Sequence, residues 1–518
     1  MDTKALRQKI LDLAIRGKLV PQDPNDEPAS VLLGRIRQQK QQMVKEGKLK
    51  PKDIKNDSVI FVGEDNLHYE KFADDSVKCI EDEIPFELPD GWAWERLSNL
   101  ASFSGGKTPS TSRSEYWDGD ILWVTSKDMK SKYITSSQLR LSTLGAEQMQ
   151  MYQPDTLLLV TRSGILRHTL PVAILKECAT INQDLKAIIL YMPQLAEYIY
   201  VCLKGMETQL LLKYTKSGTT VENVNFDEFQ KVLLPIPSIQ QIDRIMSSTG
   251  SAESVVSTIE DDKAALADYV IKAKSKILDL AIRGQLVPQD PADEPAAVLL
   301  ERIRAEKEEL IKQGKLKRDK KESVIFRGED NSYYEKIGNE VENIDGDIPF
   351  ELPDGWAFVR LKELWELVSG RDLSPSEYNA DGDGIPYITG ASNFANGRVS
   401  LVRWTTTPQV ITKTGDLLLT CKGTIGEMAF NNFGDAHIAR QVMAIRNTFA
   451  LNPEYLALCI TAYISAIKDA AKGLIPGISR EDILNLILPI PSLNYQIRVV
   501  EQVAKLKSLL TSVEKSLS

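Results

Sequence analysis

At 518 residues, 42% hydrophobic and 26% charged, the chain has ordinary globular composition but exceeds what one hydrophobic core accommodates. About three or four domains are expected, and no low-complexity tract or bilayer-length apolar run is present. The net charge of −9 opposes nucleic-acid binding by the surface as a whole, and five scattered cysteines (Cys79, Cys178, Cys202, Cys421, Cys459) without a CxxC pair exclude a disulfide framework or zinc site and read as buried thiols.

Residues 1–17 read as an N-terminal helix. MDTKALRQKILDLAIRGK is amphipathic and charged throughout, and it lacks the apolar block of a secretory leader, so a cytoplasmic protein is expected. Residues 18–91 form a linker in which PQDPNDEP is a proline-punctuated loop and Pro28 to Glu46 an amphipathic helix closed by Gly47. Its apolar Val31, Leu32 and Ile36 suit packing on the chain's own helices, or docking on a partner. Residues 92–238 make a globular block: WAWERL opens it as a strand, a polar loop spans Ser104 to Tyr116, and short strands follow at Gly119 to Thr125, Thr156 to Thr161 and Ala187 to Leu190. A helical stretch near Pro193 to Lys216 precedes the exit LPIPS at Leu234 to Ser238.

A helix then covers residues 239–284, with Ile245, Thr249, Ala252, Val256, Ile259, Lys263, Leu266, Val270, Ala273, Ile277 and Leu280 keeping the alternating steps of a coiled-coil seam. Residues 285–355 repeat the linker, with its helix at Pro295 to Gln313. Residues 356–492 are a second block with strands at WAFVRL, Asp383 to Thr389, Asp416 to Thr420 and Val442 to Ile445, a helix near Pro453 to Lys472 and LPIPS at Leu488 to Ser492. Residues 493–518 form a last helix whose seam is Val499, Val503, Leu506, Leu510, Val513 and Leu517.

This order is a duplication. Ile10 to Lys50 returns as Ile277 to Lys317 with about three-quarters of positions identical, and IPFELPDGWAWERL (Ile84 to Leu97) returns as IPFELPDGWAFVRL (Ile348 to Leu361). The blocks between are much less alike, which places variable function in inserts on a constant framework. The repeat is circularly permuted: Thr3, Leu6, Ile10 and Leu13 copy Val270, Ala273, Ile277 and Leu280, and the last helix copies the front of the central one. The expected class is α+β: two globular α+β domains separated by long antiparallel coiled-coil helices, pseudo-two-fold. At 1.5 Å per residue the central helix would span about 68 Å, close to two turns of B-DNA.

The loop SGGKTPSTSRSEY combines hydroxyls, glycine and cations, the groups that hold phosphates and read base edges, although a solvated loop has the same composition. The blocks are near neutral, with 15 Lys+Arg against 14 Asp+Glu over Trp92 to Ser238 and 12 against 13 over Trp356 to Ser492. Each can present a basic face, and a partner supplying further phosphate contacts is expected. SGGKTPSTSRSEYWDGDILWVTSKDM, INQD (Ile181 to Asp184), GTTVENVN (Gly218 to Asn225) and LLPIPSIQQ (Leu233 to Gln241), with the duplicated helices, resemble the specificity subunit of type I restriction-modification systems over nearly the whole chain. The second block departs from this pattern with SGRDLSPSEYNADGDGIPYIT and IARQ.

The resemblance implies that each block is a target recognition domain reading half of a split double-stranded DNA sequence. It implies helices that space the domains and dock two modification subunits resembling adenine-N6 methyltransferases, and a chain that is not itself an enzyme. S-adenosylmethionine, and ATP and magnesium where a restriction subunit exists, would be bound by those partners, with no cofactor in this chain. Candidate DNA contacts are Lys107, Thr108, Ser110, Arg113, Ser126, Lys127 and Arg162 in the first block, and Arg371, Asn393, Arg398, Lys422, Arg440 and Gln441 in the second.

Other signals point elsewhere. Gly105 to Thr108 imitates the end of a P-loop, but the required first glycine is Ala101 and no βαβ unit follows. Asn452-Pro-Glu-Tyr455 is near the Asn-Pro-Pro-aromatic element of amino-methyltransferases, yet Glu454 breaks it and a helix N-cap explains it. The alternative enzyme is a metal-dependent nuclease using Asp155, Asp184 and Lys186, although Gln441 and Met443 stand at the last two positions in the second block. The third reading is a coiled-coil adaptor that binds only proteins. His68, His168 and His437 lack ligand spacing and read as surface or loop residues, and NADGDG fails the calcium-loop pattern at Ile385 and reads as a turn.

Overall fold

The computed structural model describes residues 2–55, 57–216, 221–318, 322–395, 397–470 and 477–517; Gly218 to Thr220 of GTTVENVN and the last two residues of the expected Pro453 to Lys472 helix lie outside them. The chain divides into two compact units, residues 1–262 and 263–518. Among the described residues no helix is long and apolar enough to cross a membrane.

In the first unit, helix α1 (Thr3–Ile15) starts where the Asp2 carboxylate accepts from Ala5 N at 3.0 Å. It stops at Gly17, whose φ of +65° lets Lys18 N reach back to Leu13 O (2.8 Å). Helix α2 (Ala29–Lys45) buries Ala29, Leu32, Leu33, Ile36 and Lys40, and Leu32, Leu33 and Ile36 share a core with Ile15, Leu97 and Leu100. Val31, expected on that stripe, is instead exposed. The buried positions follow steps of three and four from Ala29 to Lys40, and Val31 falls off that line. Lys40 ends the stripe with its ammonium 2.6 Å from Asp57 and 4.7 Å from the centre of the Tyr191 ring.

The first block holds a five-stranded sheet in the order Ala101–Gly105, Leu185–Leu190, Leu157–Val160, Val172–Leu175, Tyr133–Ile134, and a three-stranded one in the order Ala179–Ile181, Trp117–Val124, Leu139–Leu141. Leu157 to Val160 are wholly buried, as a continuous apolar run requires. The expected helix near Pro193 to Lys216 is broken at Met206 into α3 (Ala196–Gly205) and α4 (Glu207–Tyr214). Ala93–Arg96 pairs antiparallel with Leu233–Ile236, so the block's opening strand and its exit are neighbours. Ser238 Oγ then accepts from Gln241 N (2.9 Å) and caps the long helix α5 (Ile239–Ile282). Three ion pairs set α1 antiparallel to the front of α5: Arg7 reaches Glu253 (2.8 Å) and Glu260 (2.5 Å), while Arg244 pairs with Asp26 in the chain just beyond α1.

The second unit repeats this construction with α6 (Ala296–Lys312), α7 (Pro453–Ala470) and α8 (Leu493–Leu517). Its sheets run Trp365–Ser369, Val442–Asn447, Leu417–Thr420, Met428–Phe430 and Trp404–Thr405, Ile385–Ile388, Ala436–Ile438, Ile411–Thr412. Ala357–Arg360 pairs with Ile487–Ile490. Here α8 runs antiparallel to the back of α5, with Lys274 2.7 Å from Glu514 and Arg498 2.6 Å from Asp293. Seam residues Ile245, Val256, Val270, Val499 and Val503 are buried, whereas Leu266 is 43% exposed.

Two expectations change, for the cysteines and for His437, while the expected N-cap at Asn452 is present. Cys79 and Cys178 are exposed, the first in the outermost strand of a hairpin and the second in the turn before Ala179; only Cys202, Cys421 and Cys459 are buried. His437 is fully buried in the strand Ala436–Ile438. Asn452 is an N-cap, its Oδ1 accepting from Tyr455 N at 3.0 Å, while Tyr455 is buried and donates to Pro489 O (2.9 Å) just as Tyr198 donates to Pro235 O (2.8 Å) in the first unit.

Candidate nucleic-acid interface

In the first block three loops meet at the segment Asn182 to Asp184. This segment joins Ala179–Ile181, which runs parallel to the end of Trp117–Val124, to Leu185–Leu190, which lies between Ala101–Gly105 and Leu157–Val160. Pairing therefore delivers the loop after Gly105, the turn after Val124 and the turn after Val160 to one place. Backbone bonds close each approach: Lys107 N to Ile181 O (3.0 Å), Asn182 N to Val124 O (2.9 Å) and Thr161 N to Asp184 O (2.8 Å). Lys107, Thr108, Ser126, Lys127 and Arg162 thus border one patch, with Thr108 donating to Gln183 Oε1. Ser110 and Arg113 lie along the adjoining edge, where Ser110 O accepts from Trp117 Nε1 (3.2 Å) and Arg113 donates to Tyr116 OH (2.8 Å).

Gly106 permits this closeness, because a Cβ there would lie 2.1 Å from Asn182 O and 2.3 Å from Ile181 O. Behind the loop, the Tyr152 hydroxyl lies 2.8 Å from Ser104 Oγ and 3.2 Å from Gly105 O. Burial pushes this phenol above its ordinary value, so it remains a neutral donor at neutral pH. The turn after Val124 is held by Asp128, whose Oδ2 accepts from both Thr125 N and Thr125 Oγ1 at 2.8 Å.

The second block builds the same junction at Ile438 to Gln441. Arg371 N donates to Ile438 O (2.9 Å), Ala439 N to Ile388 O (2.9 Å) and Cys421 N to Gln441 O (2.8 Å). A Cβ on Gly370 would lie 2.1 Å from Ala439 O. Arg371, Lys422, Arg440 and Gln441 gather here, while Arg398 stands exposed on the small hairpin Phe394–Ala395 with Arg398–Val399. Asn393 is different from the rest of the expected set. It is 1% exposed, its Oδ1 accepts from Thr389 N (2.9 Å) and Thr389 Oγ1 (3.0 Å), and its Nδ2 donates to Ser400 O (2.9 Å). It plays the part of Asp128 and offers no free edge to a base. The buried His437 is a strut for Arg371, its Nε2 2.8 Å from the Arg371 carbonyl.

Lys107, Thr108, Lys127, Arg162, Arg371, Arg398, Lys422, Arg440 and Gln441 are exposed and Ser126 is half-buried. Among the described residues Lys107, Arg113, Lys127, Arg162, Arg371, Arg398 and Lys422 form no salt bridge, whereas Arg440 pairs with Asp372 at 2.7 Å. Cations left without a carboxylate, beside exposed hydroxyls and amides, suit phosphate oxygens and base edges. Gln183 was missed by the sequence reading, although aligning INQD with IARQ places it where Arg440 stands; it is exposed at the centre of the first junction.

The nuclease set does not assemble. Leu157 pairs with Ile188 and Val160 with Leu185, so Asp155 and Asp184 lie at opposite ends of the same strand pair, about 20 Å apart at 3.3 Å per residue. Asp155 instead pairs with Lys176 (3.3 Å), and the Asp184 carboxylate accepts from Asn182 Nδ2 (3.2 Å). Among the described residues no group of His, Cys, Asp and Glu could hold a metal ion. NADGDG is a turn in which Asn379 Oδ1 accepts from Asp381 N (3.0 Å) and Asp383 N (3.2 Å). Gly105 to Thr108 leads from a strand into a loop, without the helix a P-loop needs.

The duplicated blocks have known counterparts. A family model described as type I restriction modification DNA specificity domain matches residues 89–251 and 353–517. The specificity subunit of type I restriction enzyme EcoAI from Escherichia coli is 28% identical over 415 residues, covering 71% of this chain, which spans only 63% of that relative. The specificity subunit of type I restriction enzyme EcoEI from Escherichia coli is 25% identical over 612 aligned residues, covering 99% of this chain and 91% of that one. A solved structure from work on complex assembly and conformational transition of the type I R-M system superposes with a TM-score of 0.53 at 17% identity, covering 84% of this chain and 94% of that chain, a likeness of fold.

Proposed function

The chain belongs to the type I restriction-modification DNA specificity domain family, as a specificity subunit rather than an enzyme, and we propose that each of its two blocks reads one half of a bipartite double-stranded DNA target. The observation that carries this reading is a junction built identically in both blocks but furnished with different side chains. Lys107, Gln183 and Asp184 in the first stand where Arg371, Arg440 and Gln441 stand in the second. The same backbone with different donors and acceptors is what reading two unlike half-sequences needs.

In this reading α1, α5 and α8 act as an antiparallel coiled-coil spacer with pseudo-two-fold symmetry. The 44 residues of α5 measure about 66 Å at 1.5 Å per residue, near two turns of B-DNA. Two methyltransferase subunits dock on the framework and bring S-adenosylmethionine; where a restriction subunit joins, it brings ATP and magnesium. The near-neutral blocks bind weakly alone and gain phosphate contacts from these partners. The DNA-facing set comprises the twelve expected residues other than Asn393, with Gln183 added.

The test is Lys107→Ala in a host carrying the chain and its partner genes, read by methylome sequencing. Methylation dependent on one half-site is expected to be lost, and an unchanged methylome would remove this loop from the interface. Magnesium-dependent cleavage by the isolated chain would favour a nuclease, and absence of DNA binding in every assembly would favour a protein-only adaptor.

A further inference from the structure

Each linker carries a three-stranded hairpin: Val59–Val62, His68–Lys71 and Val77–Cys79 in the first, Ser323–Arg327, Tyr333–Ile337 and Glu340–Asn343 in the second. Alternation and register divide its side chains between two faces. Ile60 and Glu70 face inward, where Ile60 packs with Ile80 and Trp94, and Glu70 meets Arg96 at 2.7 Å. The pairs Val59↔Lys71, Phe61↔Tyr69 and Lys71↔Val77 put those five on the other face, where Phe61 is 42% and Val77 53% exposed. Phe61 and Tyr69 stack at 5.9 Å, and their copies Phe326 and Tyr334 stack at 5.9 Å.

Five positions of this outer face are the same in both units, and one, Cys79 opposite Tyr69, is replaced by Asn343 opposite Tyr334. Val59, Phe61, Tyr69, Lys71 and Val77 return as Val324, Phe326, Tyr334, Lys336 and Val341. Nearby surface positions off this face have changed, with Val62 becoming Arg327 and Lys78 becoming Glu342. Packing explains why Ile60 and Glu70 are repeated, but it does not explain a repeated phenylalanine and valine that face solvent. A contiguous exposed apolar patch of this kind marks a contact surface.

We infer that each hairpin face docks one protein partner, present in two identical copies, whose contact surface is apolar at its centre and basic at its rim. The acidic turn beside the patch, Glu64 and Asp65 in one unit and Glu329 and Asp330 in the other, repels a phosphate backbone and excludes DNA. The same carboxylates would oppose one another if two copies of this chain met face to face, which excludes self-association. Two surfaces that share their exposed aromatic and valine positions in one chain match a partner used twice. On the functional reading above, on which this inference rests, that partner is the modification subunit.

The experiment uses the full chain co-purified with its modification subunit, with stoichiometry read by native mass spectrometry and affinity by titration. Phe61→Asp is expected to remove one modification subunit, and Phe61→Asp with Phe326→Asp to remove both, each contact weakening at least about tenfold. Val77→Lys with Val341→Lys should do the same, and because all four positions are exposed the melting temperature of the free chain should be unchanged. Full occupancy and unchanged affinity in both double variants would overturn the docking surface. A free chain that dimerises, and loses that dimer in the Phe61→Asp variant, would assign the face to a second copy instead. If the unsubstituted chain bound no modification subunit, the functional reading itself would fall, an outcome separate from loss confined to the variants.

Discussion

Alanine at Gly106 tests the geometry on which the first junction depends. The new Cβ would lie 2.1 Å from Asn182 O and 2.3 Å from Ile181 O, whereas a carbon meets a carbonyl oxygen comfortably at about 3.3 Å or more. Both obstructing atoms are backbone, so the loop must retreat by about 1 Å. That movement breaks the Lys107 N to Ile181 O bond of 3.0 Å, worth about 1 kcal/mol, and adds about 1–3 kcal/mol of steric readjustment. A total of about 2–4 kcal/mol is smaller than the 5–15 kcal/mol typical of a folded domain, so the protein folds with the loop displaced. Each well-placed pair of bonds to a base is worth about 1–3 kcal/mol, so DNA affinity should fall about tenfold to a hundredfold. The assay is fluorescence anisotropy of the assembled complex on duplexes altered in one half-site or the other, with thermal melting in parallel. Gly106→Ala should abolish discrimination in one half only, and Gly370→Ala, whose Cβ would lie 2.1 Å from Ala439 O, should do so in the other. A Gly106→Ala complex with unchanged affinity and an unchanged melting temperature would refute the geometry.

Three further outcomes are expected. Asn393→Ala should lower the stability of the second unit by about 1–3 kcal/mol in urea melts, since Thr389 and Ser400 lose their partner; altered DNA specificity with unaltered stability would contradict the turn role. Gly34→Ala and Gly250→Ala, in helices where nothing lies within 4 Å of the new Cβ, should each stabilise by about 0.5–1 kcal/mol, and destabilisation by either would show an unseen contact. Burial raises the Glu83 carboxyl, but its bonds to Arg96 and Lys78 outweigh this and hold it down at about 2. A depressed folded value means the stabilisation is complete above the unfolded value of about 4.3 and disappears as pH falls towards about 2. Calorimetry from pH 6 to about 2 should show Glu83→Gln removing part of this acid sensitivity, and identical curves for the two proteins would refute it.

The duplication, the permuted helices and the strands that open and close each block were legible in the order of residues, because helical and strand periodicities and a repeated framework are local properties. Lys107, Thr108, Ser126, Lys127 and Arg162 could be nominated by residue type, and Asn452 recognised as a cap, for the same reason. Only the tertiary structure brought the loops of each block to one junction, set Asp155 and Asp184 at opposite ends of a strand pair, turned Asn393 inward and buried His437. Those outcomes depend on which strand lies beside which and in what register. Register is decided by side chains distant in sequence that must be buried together, and no local pattern around Asn393 or His437 carries that information.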